Sequence, residues 1–159
     1  MFLYLHLRNM LRFVTMKEKD NIFALLLFIT QRWIVKGDSI LLQKAGITTK
    51  QWMLLVILMF KFDKQNPTIS ETAKEFGTSR QNLKQVAISL QKKGFVDIKP
   101  DPNDFRIQRI SLTGNHLPLF EGDKNEQWQS QYINSLFKGF NQNEIIQLNS
   151  FVERLLLNI

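Results

Sequence analysis

The chain has 159 residues, 44% of them hydrophobic, and a formal net charge of +7 at pH 7. That length suits one domain with a sizeable core, and the basic balance favours a polyanionic partner without identifying it. No cysteine is present, which excludes disulfides, thiolate zinc sites and peroxide sensing by a reactive thiol, and suits a reducing cytoplasm.

Residues 1–15 are apolar but interrupted by Arg8 and Arg12. The segment is too short and too charged for a spanning helix and lacks the basic start and small-residue cleavage site of a signal peptide. A helical or frayed extension with no membrane partner is expected, with a surface-bound amphipathic helix as the alternative. Met16-Lys-Glu-Lys-Asp20 reads as a natural polar start, which makes residues 1–18 an extension whose first fifteen positions precede a plausible initiator. From Asn21 to about Leu42 a helix is expected. Its large apolar residues Ile22, Leu25, Leu26, Phe28, Ile29 and Trp33 form a stripe wider than a small domain needs. A second helix is expected from Thr49 to about Phe62, burying Trp52, Leu55, Val56 and Met59 and ended by Gln65-Asn-Pro67.

The most informative stretch runs from Thr68 to Leu90. Thr68 with Glu71 is a capping box, and Ile69, Ala73 and Phe76 make one apolar stripe. Gly77 stands where the chain must turn with positive φ, and Thr78 or Ser79 can cap the next helix. Leu83, Val86 and Leu90 are that helix's buried stripe. Arg80, Gln81, Lys84, Gln85, Gln91 and Lys92 are left pointing outward. Two short helices with a tight glycine turn and a donor-rich outer face form a helix-turn-helix, with Ser79–Lys93 as recognition helix. A helical hairpin with a merely wetted polar face is the plainer reading of this stretch taken alone.

After Gly94 the periodicity changes to two. Phe95–Lys99 and Ile107–Leu112 read as strands in which Val96 and Ile98 share an inner face with Ile110 and Leu112. The connecting Pro100-Asp-Pro-Asn-Asp-Phe-Arg106 is turn-rich. A hairpin directly behind a recognition helix is a wing. Asp104 can pair with Arg106 at its tip and present the arginine to a minor groove, where A·T-rich DNA concentrates negative potential.

These residues carry a resemblance to the MarR transcriptional regulators, dimeric bacterial winged helix-turn-helix proteins. It rests on Ile47-Thr-Thr-Lys-Gln-Trp52, Thr68-Ile-Ser-Glu-Thr-Ala73 and Thr78-Ser-Arg-Gln-Asn-Leu83. It continues through Leu90-Gln-Lys-Lys-Gly-Phe-Val96, Asp101-Pro-Asn-Asp-Phe-Arg106 and Ile110-Ser-Leu-Thr113. Two departures stand out. Phe105 occupies a position where many members carry arginine, and Gly114-Asn115, Pro118 and Gly122 interrupt what is usually a continuous helix. The resemblance implies a dimer, and a response to small phenolic or lipophilic effectors. Phe23, Trp33, Trp52 and Phe60 could line such an effector site, though plain core is the simpler expectation for each.

The C-terminal third is helical again. Trp128, Tyr132, Ile133, Leu136 and Phe137 recur at helical spacing, a break falls at Lys138-Gly139 and Asn141, and Ile145, Leu148, Val152, Leu155 and Leu156 follow. This apolar surface exceeds what a lone tail buries, which points to association, although packing of the tail on the first helix would also use it.

The expected fold is mainly α with a small β-hairpin wing, a winged helix-turn-helix flanked by N- and C-terminal dimerisation helices. Residues 19–46 form the first dimerisation helix, 47–113 the DNA-binding domain and 114–159 the C-terminal dimerisation helices. The expected function is a sequence-specific transcriptional regulator, a repressor that binds an inverted repeat in double-stranded DNA as a homodimer. The DNA-contacting residues are expected to be Thr78, Ser79, Arg80, Gln81, Asn82, Lys84, Gln85, Asp104 and Arg106. Gln81 and Gln85 are the candidates for base readout, because their amides match adenine edges. The alternative is a winged-helix module that binds protein and has lost DNA affinity. No catalytic residue, cofactor or metal is expected. The two histidines, His6 and His116, lack a paired carboxylate motif, and no phosphate loop or nucleophile elbow occurs. His116 with Glu121, Asp123 and Glu126 could be read as a cation site, but a solvated loop and helix start explains them more simply.

Overall fold

The computed structural model describes residues 17–63, 65–120 and 123–158, with residues 123–128 described by their backbone. The N-terminal extension up to Met16 lies outside the described residues. So do Glu121 and the side chains of Asp123, Glu126 and Trp128. The chain divides into two compact units after Thr113.

The first unit contains α1 (Glu18–Ala45), α2 (Thr49–Phe60), α3 (Ile69–Phe76) and α4 (Arg80–Lys92), followed by β1 (Val96–Pro100) and β2 (Gln108–Leu112). Its core is drawn from every element. Leu54, Leu55 and Leu58 of α2 are buried with Ile69 and Ala73 of α3, Leu83, Ala87 and Leu90 of α4, and Val96 and Ile110 of the hairpin. The hairpin is antiparallel in the expected register, Val96 opposite Leu112 and Ile98 opposite Ile110. Both strands begin one residue later than the alternation suggests. A short third segment supports them: the Ile110 N–H donates to the Pro67 carbonyl at 2.9 Å, and Thr68 bridges Arg109. This pairing was invisible to periodicity, because three residues around Pro67 are too few to show a pattern.

The α1–α2 corner is unusually close. A Cβ on Gly37 would stand 2.6 Å from the Thr49 hydroxyl oxygen, so only glycine lets the start of α2 approach α1 this nearly. The Thr49 N–H donates to Asp38 Oδ1 at 2.6 Å, placing a carboxylate on the positive end of α2. Thr48 and Gln51 complete a capping box there.

Three expectations for this unit need correction. The inward face of α2 is Gln51, Leu54, Leu55 and Leu58, whereas Trp52, Val56 and Met59 are only half-buried. The face is rotated by about one residue because Gln51 is fully engaged inside. Its Oε1 accepts from the Thr48 N–H at 2.9 Å and its Nε2 donates to Ser89 Oγ of α4 at 2.7 Å. A polar residue so satisfied belongs to the core. Second, α2 stops at Phe60, because the chain closes a turn in which the Gln65 N–H donates to the Phe62 carbonyl at 2.8 Å. Third, Phe23, Trp33 and Phe60 are exposed rather than core, and Trp52 is half-buried. The stripes of α3 and α4 also shift slightly, with Thr72 and Ala87 buried where Phe76 and Val86 are half-buried. The Thr72 hydroxyl donates to the Thr68 carbonyl at 2.9 Å, which lets a threonine take an inward position.

The second unit runs through a 3-10 turn (Gly114–His116) and α5 (Leu117–Phe120) to α6 (Asp123–Leu136) and α7 (Gln142–Leu156). Gly114 and Asn115 thus lie in a 3-10 turn that leads directly into α5, and Pro118 lies within α5. The break before α7 is edge-to-face packing of Phe137 on Phe140, 6.3 Å between centroids, and then an Asn141–Glu144 capping box. Tyr132 is half-buried, and burial pushes its phenol upward in pKa.

Replacing Thr68 with alanine removes the side-chain half of the α3 capping box, the bond that Thr68 Oγ1 accepts from the Glu71 N–H at 3.1 Å, and leaves the 2.7 Å bond from the residue-68 N–H to Glu71. Urea unfolding of Thr68→Ala should show a loss of about 1 kcal/mol with the slope unchanged.

Candidate nucleic-acid interface

The interface starts from the turn between α3 and α4. Gly77 closes α3 in the left-handed region at φ 69° and donates to the carbonyls of Ala73 and Lys74. Ser79, not Thr78, then caps α4: its Oγ accepts from the Asn82 N–H at 3.2 Å. Leu83, Ala87 and Leu90 are the buried side of α4. That leaves Ser79, Arg80, Gln81, Asn82 and Gln85 exposed, with Thr78 and Lys84 half-buried. Arg80 and Lys84 take part in none of the ion pairs among the described residues. Every α4 side chain expected to meet DNA therefore stands clear of the core.

The far end of α4 is anchored to the body and to the wing. Lys93 Nζ donates to the Gly46 carbonyl at the α1–α2 corner. The Phe95 N–H returns to the Leu90 carbonyl at 3.1 Å, and Thr113 closes the base of the hairpin through its N–H to Phe95 and its hydroxyl to Gly94.

At the tip, Asp104 and Arg106 pair as expected. Asp104 Oδ1 accepts both the Arg106 backbone N–H at 3.0 Å and its Nε at 3.1 Å. The Arg106 side chain is nevertheless 92% exposed. Such a pair adds little stability; its effect is to fix the direction of the guanidinium.

The residues that hold the tip escaped the sequence reading. Asp101 is buried beneath it. Its Oδ1 accepts from the N–H groups of Asn103 at 2.8 Å and Asp104 at 3.2 Å, and its Oδ2 pairs with Arg109 Nε. Arg109 in turn donates through Nη1 to the Asn66 carbonyl at 2.8 Å, tying the wing to the segment entering α3. Alternation marked Arg109 only as an outward residue. The usable signal was an acid two residues before Asn-Asp, with a cation eight positions on across the hairpin.

The Arg109 guanidinium, and then the Asn103 and Asp104 amides, hold the Asp101 carboxyl below the ordinary carboxylate range against the opposing effect of burial. Glu71 is lowered too, first by the Thr68 N–H. Among the described residues, no three acidic, histidine or cysteine side chains come together as a metal site, and no described helix is long and apolar enough to cross a membrane.

No family model matches the sequence. Among curated proteins, the transcriptional activatory protein BadR of Rhodopseudomonas palustris is 30% identical over 74 residues. The match spans 45% of this chain and 42% of BadR. Among solved structures, a MarR/EmrR family transcriptional regulator from Acinetobacter sp. ADP1 superposes with a TM-score of 0.71 at 17% identity, covering 90% of this chain and 97% of the other. MepR of S. aureus, solved as a complex with DNA, gives a TM-score of 0.67 at 20% identity, covering 86% and 96%. The chain therefore has the winged-helix fold of the MarR-family transcriptional regulators.

Because its folded-state pKa is depressed, Asp101 contributes stability that is complete above its unfolded pKa and is lost as pH falls through the folded one. Unfolding curves should then show wild type more stable than Asp101→Asn at neutral pH, with the gap narrowing only below the ordinary carboxylate range. A gap that stays constant into acid would contradict the assignment.

Proposed function

We propose that the protein is a MarR-type transcriptional regulator, a repressor that binds an inverted-repeat operator as a homodimer. The observation that carries the reading is the outward face of α4, where Ser79, Arg80, Gln81, Asn82 and Gln85 are all exposed and no buried contact claims them. Gln81 and Gln85 read base edges in the major groove, while Arg80, Lys84, Asn82 and Thr78 hold phosphates. The Ser79 hydroxyl, accepting the cap bond, still has a proton to donate to a phosphate at the helix N-terminus. Arg106, directed by Asp104, enters the flanking minor groove.

Dimerisation is supported by apolar surface that each unit leaves uncovered. Ile22, Phe23, Leu27 and Val35 of α1 are more than half exposed, as are Ile146, Phe151 and Leu156 of α7. Patches of this extent on helices mark association. A two-fold pair sets two recognition helices about one turn of DNA apart, roughly 34 Å. A small lipophilic or phenolic effector would release the operator by favouring a different spacing of the two reading heads, which requires unequal affinity for the two states. The exposed aromatics Phe23, Trp33 and Phe60 offer apolar surface for it.

Footprinting on the gene's own upstream region should reveal a protected inverted repeat whose protection weakens steeply with salt. Protein bound to no duplex at low salt would defeat the reading. Lys84→Ala should weaken all sequences alike and lower the salt slope by about one per protomer, whereas a sequence-selective loss would make Lys84 a base reader instead. Sedimentation of Leu27→Glu with Phe151→Glu should give monomer where the wild type gives dimer.

A further inference from the structure

The wing tip presents two side chains, and DNA electrostatics accounts for one of them. The Ile107 N–H donates to the Asp104 carbonyl at 2.9 Å, so Phe105 and Arg106 are the two central residues of one tight turn. Asp104 fixes that turn further by accepting the Arg106 N–H. Phe105 is 80% exposed, more than any other large apolar side chain described in its unit. It packs on no core, and its neighbour Ile107 is itself 37% exposed. A bare phenyl ring on a rigid apex costs hydration free energy in the free protein and returns none of it there.

We propose that Phe105 is a minor-groove wedge: its ring leans on a base step beside the point where Arg106 enters, partly unstacking it. This rests on the DNA-binding reading above and adds a specificity-determining residue to it. The groove is roughly 6 Å wide, room for a flat ring entering edge-on beside a guanidinium. Apolar side chains inserted there unstack base steps and favour those that deform easily, the pyrimidine–purine steps. The two prongs divide the work. Arg106 contributes a charge, and its contribution fades with salt. Phe105 contributes dehydrated contact and step preference, which salt does not screen. The apex is pre-organised by Asp104 and Asp101, so little freedom is lost on entry.

The test uses the full chain and a duplex selected by it from a random-sequence pool, with 2-aminopurine placed at successive positions under the wing. With wild type, fluorescence should rise at one pyrimidine–purine step as it unstacks. Phe105→Ala should bind roughly five- to fifty-fold more weakly, abolish that rise and leave the salt slope unchanged. Its unfolding midpoint should match wild type, because the ring supports nothing in the fold. Arg106→Ala, by contrast, should lower the slope by about one per protomer. Unchanged affinity of Phe105→Ala would overturn the wedge while leaving DNA binding intact, and would turn the apex toward a protein surface. An altered salt slope in Phe105→Ala, or wild-type binding without a fluorescence change, would overturn it too. Failure of the wild type to select any duplex would remove both this proposal and the reading beneath it.

Discussion

The arrangement depends on burying one narrow side of α4. Leu83, Ala87 and Leu90 are fully withdrawn from solvent, and they recur at four- and three-residue intervals, so they define a single face. Once that face is fixed, geometry leaves no choice for Gln81 and Gln85: they must point away from the body, while Arg80 is exposed because it opens the helix, a turn before Leu83. Ala87 matters as much as the leucines, since its small side chain allows the helix to lie close to its neighbours. Gln51 adds direction to the contact. Its amide bonds both the start of α2 and Ser89, so α4 is held in rotation as well as in depth.

The wing is built on the opposite principle. It has little apolar surface to bury, with Val96 and Ile110 as its fully buried residues, and a two-stranded hairpin alone is marginal in water. Polar attachments make up the difference. Ile110 pairs with Pro67, Thr113 closes on Phe95 and Gly94, and Arg109 spans from Asp101 to Asn66. The inner ion pair of Asp101 with Arg109 holds the turn in shape, and the outer pair of Asp104 with Arg106 aims one side chain. Two acid–arginine pairs with similar chemistry thus serve different ends because one is buried and the other is not.

Much of the winged-helix unit was legible from residue order. Capping boxes, a turn glycine and a switch from helical to alternating periodicity are local signals, and they placed α3, α4 and both strands to within a residue or two. The exposed polar side of α4 was legible for the same reason, since an amphipathic helix declares its wet side. What escaped were the contacts between distant segments. The rotation of α2 required knowing that Ser89 would meet Gln51, thirty-eight positions away. The bridge from Arg109 to Asn66 and the pairing of Ile110 with Pro67 likewise join stretches with no common local pattern.

The sequence by itself determined the order of elements, the exposed donors of α4 and the pair at the wing tip, because each follows from interactions within a few residues. Only the tertiary structure decided which side of α2 is core, why Asp101 is a support rather than a loop acid, and that Phe105 stands bare at the apex. Those outcomes depend on which remote groups arrive to satisfy a buried amide, a carboxylate or a ring, and periodicity carries no information about arrivals from elsewhere in the chain.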